Sequence, residues 1–474
     1  MNTMKNFLSM AALALVGAVM TGCSSDDNIQ QPANNDNAYI LKTTISFDTD
    51  DVTNRALSVD FLNKKATKTF AVNDQVVLFY IDGKGISRRV VSSALTAPDI
   101  SADGKTANLT FDVSASLPAT NGAIRYVYPA NMASTNDNSN FDLDDEHTID
   151  FSNLNNQDGT LTTLGSSLDL CVFDGNFSGT NLPASASLTN QLSVLAITLK
   201  DNASPTTNDI TSTITGLTVN DGTNNYAVTR AAAAGPIYVA ILPTASANID
   251  ITATAGVNNY EKSLTNKTYA KNNVYNVSWS MIPKVNLSSS SGDFNVTGDM
   301  IVTGTPAGNL NIKFPNKDCT VTLDNVNPLG AHSVTIEGSN SKMTVKLKGT
   351  SKLESIQANS ATELIIDEAA SGGTVIIESD NLTPLDNSHV TINGGTVMAR
   401  YNNDDGYEAV SGNLTVNGGA VYLATQNASA VYGTISGSVT LYGWDGSDWV
   451  SDTAKQYVTS DNTSGNPASW TYWQ

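Results

Sequence analysis

An all-β chain that ends in a parallel β-helix is what the sequence predicts, and three observations predict it. After the N-terminal segment, apolar residues hardly ever recur at helical spacing. Short runs alternate apolar with polar residues instead. They are rich in Val, Ile, Thr and Tyr, and clusters of Asn, Asp, Gly and Ser separate them. Beyond Pro283, one such segment repeats with a period in the low twenties.

The N-terminal segment comes first. Lys5 precedes an apolar run at residues 7–20, which leads into Thr21-Gly22-Cys23. The run is short for a membrane span and has the length of a signal-peptide core. Its small-small-Cys ending fits the lipobox of bacterial lipoproteins, with Met20 where Leu is commoner. Residues 1–22 are thus expected to be a signal peptide, and Cys23 to carry a lipid that anchors the chain to a membrane. Ser24-Ser25-Asp26-Asp27 resembles the short acidic signal that sends lipoproteins of Bacteroidetes to the outer face of the outer membrane. Residues 23–40 read as a flexible tether.

The 474 residues suggest about three domains. Formal net charge is −20, from 25 Lys and Arg against 45 Asp and Glu. So few scattered cations exclude a phosphate-binding stripe, and with it nucleic acid or an anionic membrane surface as partner. The acidic excess leaves room for cations such as Ca²⁺. Apart from Cys23, only Cys171 and Cys319 are present, in different expected domains, so no disulfide framework is predicted.

Strands are expected at residues 41–47, 75–81, 107–113, 123–128, 193–199, 237–242 and 274–279. Pro129 and Pro243 end theirs. Spacing is uneven up to Pro283, with long loops such as residues 131–150. Beyond it, Val390-Thr391-Ile392-Asn393-Gly394-Gly395-Thr396-Val397 returns as Leu414-Thr415-Val416-Asn417-Gly418-Gly419-Ala420-Val421, an offset of 24 residues. Weaker copies start at Val321, Met343, Leu364 and Val439, with successive offsets of 21 to 26 residues. One coil cannot hide its apolar face alone, so several must stack. Glycine allows positive φ at the corners, and Asn at equivalent positions can stack into a ladder. Residues 284–443 are therefore expected to form the β-helix.

Residues 41–283 resemble the fimbrillin family of Bacteroidetes, the subunits and accessory proteins of surface pili. The resemblance rests on Thr44-Ile45-Ser46-Phe47 leading to Asn54-Arg55-Ala56, then Phe70-Ala71-Val72-Asn73-Asp74-Gln75-Val76-Val77-Leu78-Phe79. Tyr126-Val127-Tyr128-Pro129 and Ile237-Tyr238-Val239-Ala240-Ile241-Leu242-Pro243 follow, and Tyr269 to Trp279 closes it. The family implies two tandem β-sandwiches, here residues 41–170 and 171–283. In its pilus subunits a protease cuts after an N-terminal Arg and removes the lipidated segment and first strand. A neighbouring subunit's strand then fills the groove, as unpaired edges favour. Arg55 and Ala56 stand near that position. Members differ in whether they are cut, and the reading preferred here is an uncut linker arginine in a chain that stays anchored.

The C-terminal part resembles the calcium- and polysaccharide-binding right-handed β-helix proteins of bacteria. The two Asn-Gly-Gly copies and Asn402-Asn403-Asp404-Asp405-Gly406-Tyr407-Glu408-Ala409 carry this resemblance. It implies that Asp404, Asp405 and Glu408 share a Ca²⁺, which takes several hard oxygen ligands. The family repeats its Asp-Asp-Gly corner and this chain has it once, so an exposed polar turn is the preferred reading. Four of the five tryptophans fall in residues 444–474: Trp444, Trp449, Trp470 and Trp473. Trp444 and Trp449 are candidates to stack on sugar rings, but an aromatic cap over the last coil is preferred for this segment.

No enzyme is predicted. His147, His332 and His389 are isolated, and neither a Gly-x-Ser-x-Gly elbow nor a phosphate loop occurs. The expected function is a cell-surface lipoprotein adhesin: a pilus tip or accessory subunit presenting a glycan-binding β-helix. The alternative is a surface lipoprotein that captures polysaccharide and has no part in pili.

Overall fold

The computed structural model describes residues 39–47, 58–60, 65–137, 139–202, 208–315, 317–339, 342–369, 371–403, 406–425, 430–437, 441–444 and 449–451. Cys23, Arg55, Ala56, Asp404 and Asp405 lie outside them. The described chain is all-β, with a few short helical turns. None of its helices is long and apolar enough to cross a membrane.

The first unit is one seven-stranded sheet. Its strands, in spatial order, are Ser87–Val91, Val77–Ile81, Ala123–Tyr128, Cys171–Asn176, Ser185–Asn190, Ile40–Phe47 and Thr106–Asp112. Ile40–Phe47 runs parallel to Ser185–Asn190 and antiparallel to Thr106–Asp112. It alternates with period two, burying Leu41, Thr43, Ile45 and Phe47. The sheet curls on itself, so strands distant in its order share one core: Phe111 stacks on Tyr126 with ring centres 5.9 Å apart.

Val77–Ile81 reads as a continuous apolar run because both its faces are covered. Leu78 and Tyr80 enter the first core, while Val77 and Phe79 join a second. Met132, Ile149, Leu154, Leu164 and Leu168, from the segment of helical turns after Pro129, join that second core, most of which comes from the strands beyond Asn190. A boundary near residue 170 was expected, but the first sheet runs on to Asn190. Cys171–Asn176 pairs with Ala123–Tyr128 over its full length, and Ser185–Asn190 follows it.

The second unit has two sheets that share a strand. Asn225–Thr229, Gly216–Asn220, Thr244–Ala255 and Asn258–Tyr269 make one; Ser193–Asp201, Asn208–Asp209 and Ile237–Ile241 make the other. Asn273–Asn286 serves both. It pairs parallel with Ser193–Asp201 from Asn273 to Met281, and then antiparallel with Asn258–Tyr269 from Ile282 to Lys284. Gln157 fills the gap between Asn225–Thr229 and Ile237–Ile241. Its backbone bonds to Ala227 and Thr229, and its amide exchanges hydrogen bonds of 2.8 and 2.9 Å with the backbone of Ala240.

The expected boundary at Pro283 falls inside this shared strand, not in a linker. Pairing with the next parallel strand, Met300–Gly304, starts at Lys284, so the missing proline N–H is not called upon there. Four charges bolt the junction together. Lys284 Nζ lies 2.6 Å from Glu261 Oε1 and 2.8 Å from Asp324 Oδ2; Lys348 Nζ lies 3.1 Å from Glu261 Oε2 and 3.4 Å from Asp324 Oδ2.

Beyond the junction, successive coils stack in parallel and lay down three sheets. The first face is built by Gly292–Asn295, Leu310–Lys313, Val334–Ser339, Ser355–Ser360 and Leu385–Asp386. Met300–Gly304 opens the second face, which runs through Cys319–Val326, Lys342–Lys348, Glu363–Glu368, His389–Ile392 and Asn413–Val416 to Ile435–Ser436. Thr350–Leu353, Thr374–Ser379, Thr396–Tyr401, Ala420–Ala424 and Leu441–Trp444 form the third. The core rises in register: Val321, Val345, Ile366, Ile392 and Val416 lie one above another, all fully buried. At one corner Asn417 Nδ2 donates to Asn393 Oδ1 at 2.9 Å. Gly419 there holds φ +79°, and a Cβ on it would collide with the Gly395 carbonyl. At the far end, Trp449–Ser451 turns back antiparallel on Leu441–Trp444, with Trp444 opposite Trp449.

Candidate functional site

The first face of the coils carries a polar ladder. Strand alternation sends Phe294, Ile312, Ile336, Ile356 and Leu385 inward and the residues between them outward. Asp293, Asn311 and Thr335 stack in one column, which closes at the fully buried Ser355. Asn295, Lys313, Glu337, Gln357 and Asp386 stack in the other. Bridges from Leu385 to Val410 and from Val410 to Val431 extend the face. The next position in each step is Ser411, whose Oγ donates to Asp386 Oδ1 at 2.6 Å, and then Tyr432, which is 80% exposed.

A groove of about 620 Å³ runs along the early coils, lined by Asp293, Asn311, Lys313, Thr335, Glu337 and Gln357, among others. Lys313 Nζ sits 2.8 Å from Asp293 Oδ2 and 3.9 Å from Glu337 Oε2. The hydrogen bond with Asp293 raises its pKa above the usual lysine value. Asn311 Oδ1 and Ser355 Oγ are buried with no protein partner. Steps of ~4.8 Å between coils thus present amide, hydroxyl, carboxylate and ammonium groups on the scale of a sugar ring. A hydroxyl-rich ligand both donates and accepts, and this ladder offers it both.

No family model matches the chain, and no curated protein does. Several solved structures are similar to it, three of which follow. One is a fimbrial assembly protein of Parabacteroides distasonis, at 13% identity and TM-score 0.28, covering 51% of this chain and 90% of that one. Another is a candidate cell adhesion protein of Bacteroides ovatus, at 9% and 0.29, covering 52% and 95%. A third, a candidate cell adhesion protein of Bacteroides eggerthii, stands at 14% and 0.25, covering 51% and 85%. These likenesses are too slight to assign a role.

Of the residues singled out from sequence, Glu408 is half-buried beside exposed Tyr407. Its expected partners Asp404 and Asp405 lie outside the described residues. Among the described residues no three His, Cys, Asp or Glu side chains gather to hold a metal. Trp444 and Trp449 are paired in register across the terminal hairpin, in the third sheet and not in the sheet that carries the ladder. His147 is structural: its Nδ1 lies 2.7 Å from Asp144 Oδ1, a bond that raises the imidazole pKa, and its ring stacks on Phe141. His389 Nδ1 lies 3.2 Å from Ser388 Oγ. Sequence reading missed the ladder, because its residues look like ordinary exposed alternates until coil stacking aligns them.

Ile40–Phe47, the strand before Arg55, is wedged between two neighbours rather than lying at an edge. Thr43 Oγ1 donates to the Pro183 carbonyl at 2.7 Å, and Phe47 stacks on Phe70 at 4.2 Å.

Proposed function

We propose that this chain is a surface adhesin, a pilus tip or accessory subunit held by a lipid on Cys23, whose coiled domain presents its first face to a glycan. The observation that supports this reading is the outward column from Asn295 through Lys313, Glu337, Gln357 and Asp386 to Tyr432, with a groove at one end and an exposed aromatic ring at the other. Aromatic faces pack on sugar rings, and the amides and hydroxyls between take up their hydroxyl groups. The first unit supplies the attachment. In an anchored subunit Ile40–Phe47 stays in its sheet. In a polymerising one, a cut at Arg55 would remove it and leave the facing edges of Ser185–Asn190 and Thr106–Asp112 unpaired, ready to accept a neighbour's strand.

The test is a glycan array probed with the full-length protein, followed by titration of any hit. Gln357→Ala and Tyr432→Ala are each expected to weaken binding about tenfold, the equivalent of ~1.4 kcal/mol. An array with no hit, or a hit indifferent to both changes, would remove the ladder from the function. Binding by a chain that never forms SDS-resistant ladders would favour polysaccharide capture over pilus membership.

A further inference from the structure

Beneath Phe47, the first unit buries a set of groups that neither adhesion nor folding calls for. Lys68 is 5% exposed and Asp169 1%. The Lys68 ammonium lies 4.1 Å from the centre of the Tyr128 ring and 5.9 Å from that of Phe47. Its Nζ is 3.6 Å from Asp169 Oδ2 and 3.4 Å from the Asp169 carbonyl. The other carboxylate oxygen, Oδ1, accepts from Asn190 Nδ2. The side-chain oxygen of Asn190, Oδ1, in turn accepts the Leu192 N–H at 2.8 Å. These two bonds fix which end of the amide is which. One carboxylate therefore stands between an amine and an amide; the amine and the carboxylate are buried against aromatic rings, and the amide is half-buried.

We propose that Lys68 and Asn190 join in an intramolecular amide bond, with Asp169 as the proton shuttle. In the buried pair, a proton passes from the Lys68 ammonium to Asp169 and leaves a neutral amine beside a neutral acid. Burial pushes the Asp169 pKa up, which favours this state. The amine lone pair attacks Asn190 Cγ while the Leu192 N–H steadies the oxygen that gains charge. Asp169 gives its proton to Asn190 Nδ2 and takes one from Nζ. The Cγ–Nδ2 bond breaks, and ammonia leaves with the electron pair of that bond. The balance is one ammonium, one carboxylate and one primary amide converted to one secondary amide, one carboxylic acid and one ammonia. No oxidant, metal or cofactor takes part. Both groups lie against the same carboxylate, so their encounter is intramolecular. The product ties the segment after Lys65–Thr67 to the end of Ser185–Asn190, the strand that flanks Ile40–Phe47.

The experiment is peptide mapping of the full-length protein, unfolded, digested with trypsin and read by tandem mass spectrometry. The expected result is a branched species joining the Lys68 and Asn190 peptides, lighter than their sum by one ammonia, about 17 Da, with no cleavage after Lys68. Asp169→Asn should yield the two linear peptides. Linear peptides of full mass from the unaltered protein would overturn the proposal, however the variant behaves. So would an ammonia loss confined to the Asn190 peptide, which is Asn190 cyclising on its own backbone.

Discussion

Replacing Lys284 with methionine tests whether the coiled domain is rigidly joined to the second unit. Lys284 is 22% exposed and bridges Glu261, 23% exposed, and Asp324, 9% exposed. The change deletes two charge-assisted hydrogen bonds and leaves both carboxylates to Lys348, which is more exposed. Each such bond contributes ~1.5–3 kcal/mol. With solvent screening and the share that Lys348 takes up, a net loss of ~2 kcal/mol is expected. Amide hydrogen exchange followed by mass spectrometry reads it locally, at the paired stretch of Asn258–Tyr269 and at Met300–Gly304. Exchange there should quicken about 30-fold at neutral pH.

The pH dependence gives a second check. Burial works against ionisation of Glu261 and Asp324, but the hydrogen bonds from the two lysines outweigh it and hold both carboxyls below their ordinary values. Their contribution is present above the unfolded carboxylate range and is lost as pH falls through the lowered folded values. Burial likewise opposes charge on Lys284, yet its two acidic partners raise its pKa. Its contribution is present below the unfolded lysine value and is lost as pH rises through the raised one. The gap between wild type and Lys284→Met should therefore close in acid. Unchanged exchange at neutral pH, or a gap that persists once the carboxylates are protonated, would refute the network as the source of rigidity.

Two further changes probe other joints. Gln157→Leu leaves the Ala240 N–H and carbonyl without their buried partners and should cost ~2–4 kcal/mol, read as a lower urea midpoint for loss of the second unit. Gly419→Val forces a branched side chain onto positive φ and into the Gly395 carbonyl. It should strip exchange protection from Asn413–Val416 and Ala420–Ala424 while the sheet containing Ile40–Phe47 stays protected.

Legibility in the sequence tracked how local the determining contacts are. The 24-residue offset between Val390 and Leu414 reappears as direct register between those residues, because a stacked coil makes sequence period and spatial neighbour the same thing. Boundaries were less legible. Cys171-Val172 follows a run of helical turns and reads as a fresh start, yet it pairs back to Tyr128 and Val127. Pro283 looks like a break, but it sits in a strand at a point where no donor is needed. The ladder was invisible because Asp293, Asn311 and Thr335 come from coils with no shared motif. Asp169 and Asn190 meet because Cys171 pairs with Asn190 across neighbouring strands, and Lys68 reaches them from a third, distant segment.

The shared strand Asn273–Asn286 bears on how the molecule would take a mechanical pull. The first unit reaches Ser193–Asp201 at its Ser193 end, while the coils draw on the neighbouring strand at its Asn286 end. Because the two strands run parallel, with Ser193 beside Asn273 and Asp201 beside Met281, those points of attachment lie at opposite ends of the ladder. Tension along the chain then loads all its rungs at once, in shear, instead of peeling them singly. A body whose far end is fastened to something in flow would break last at this seam.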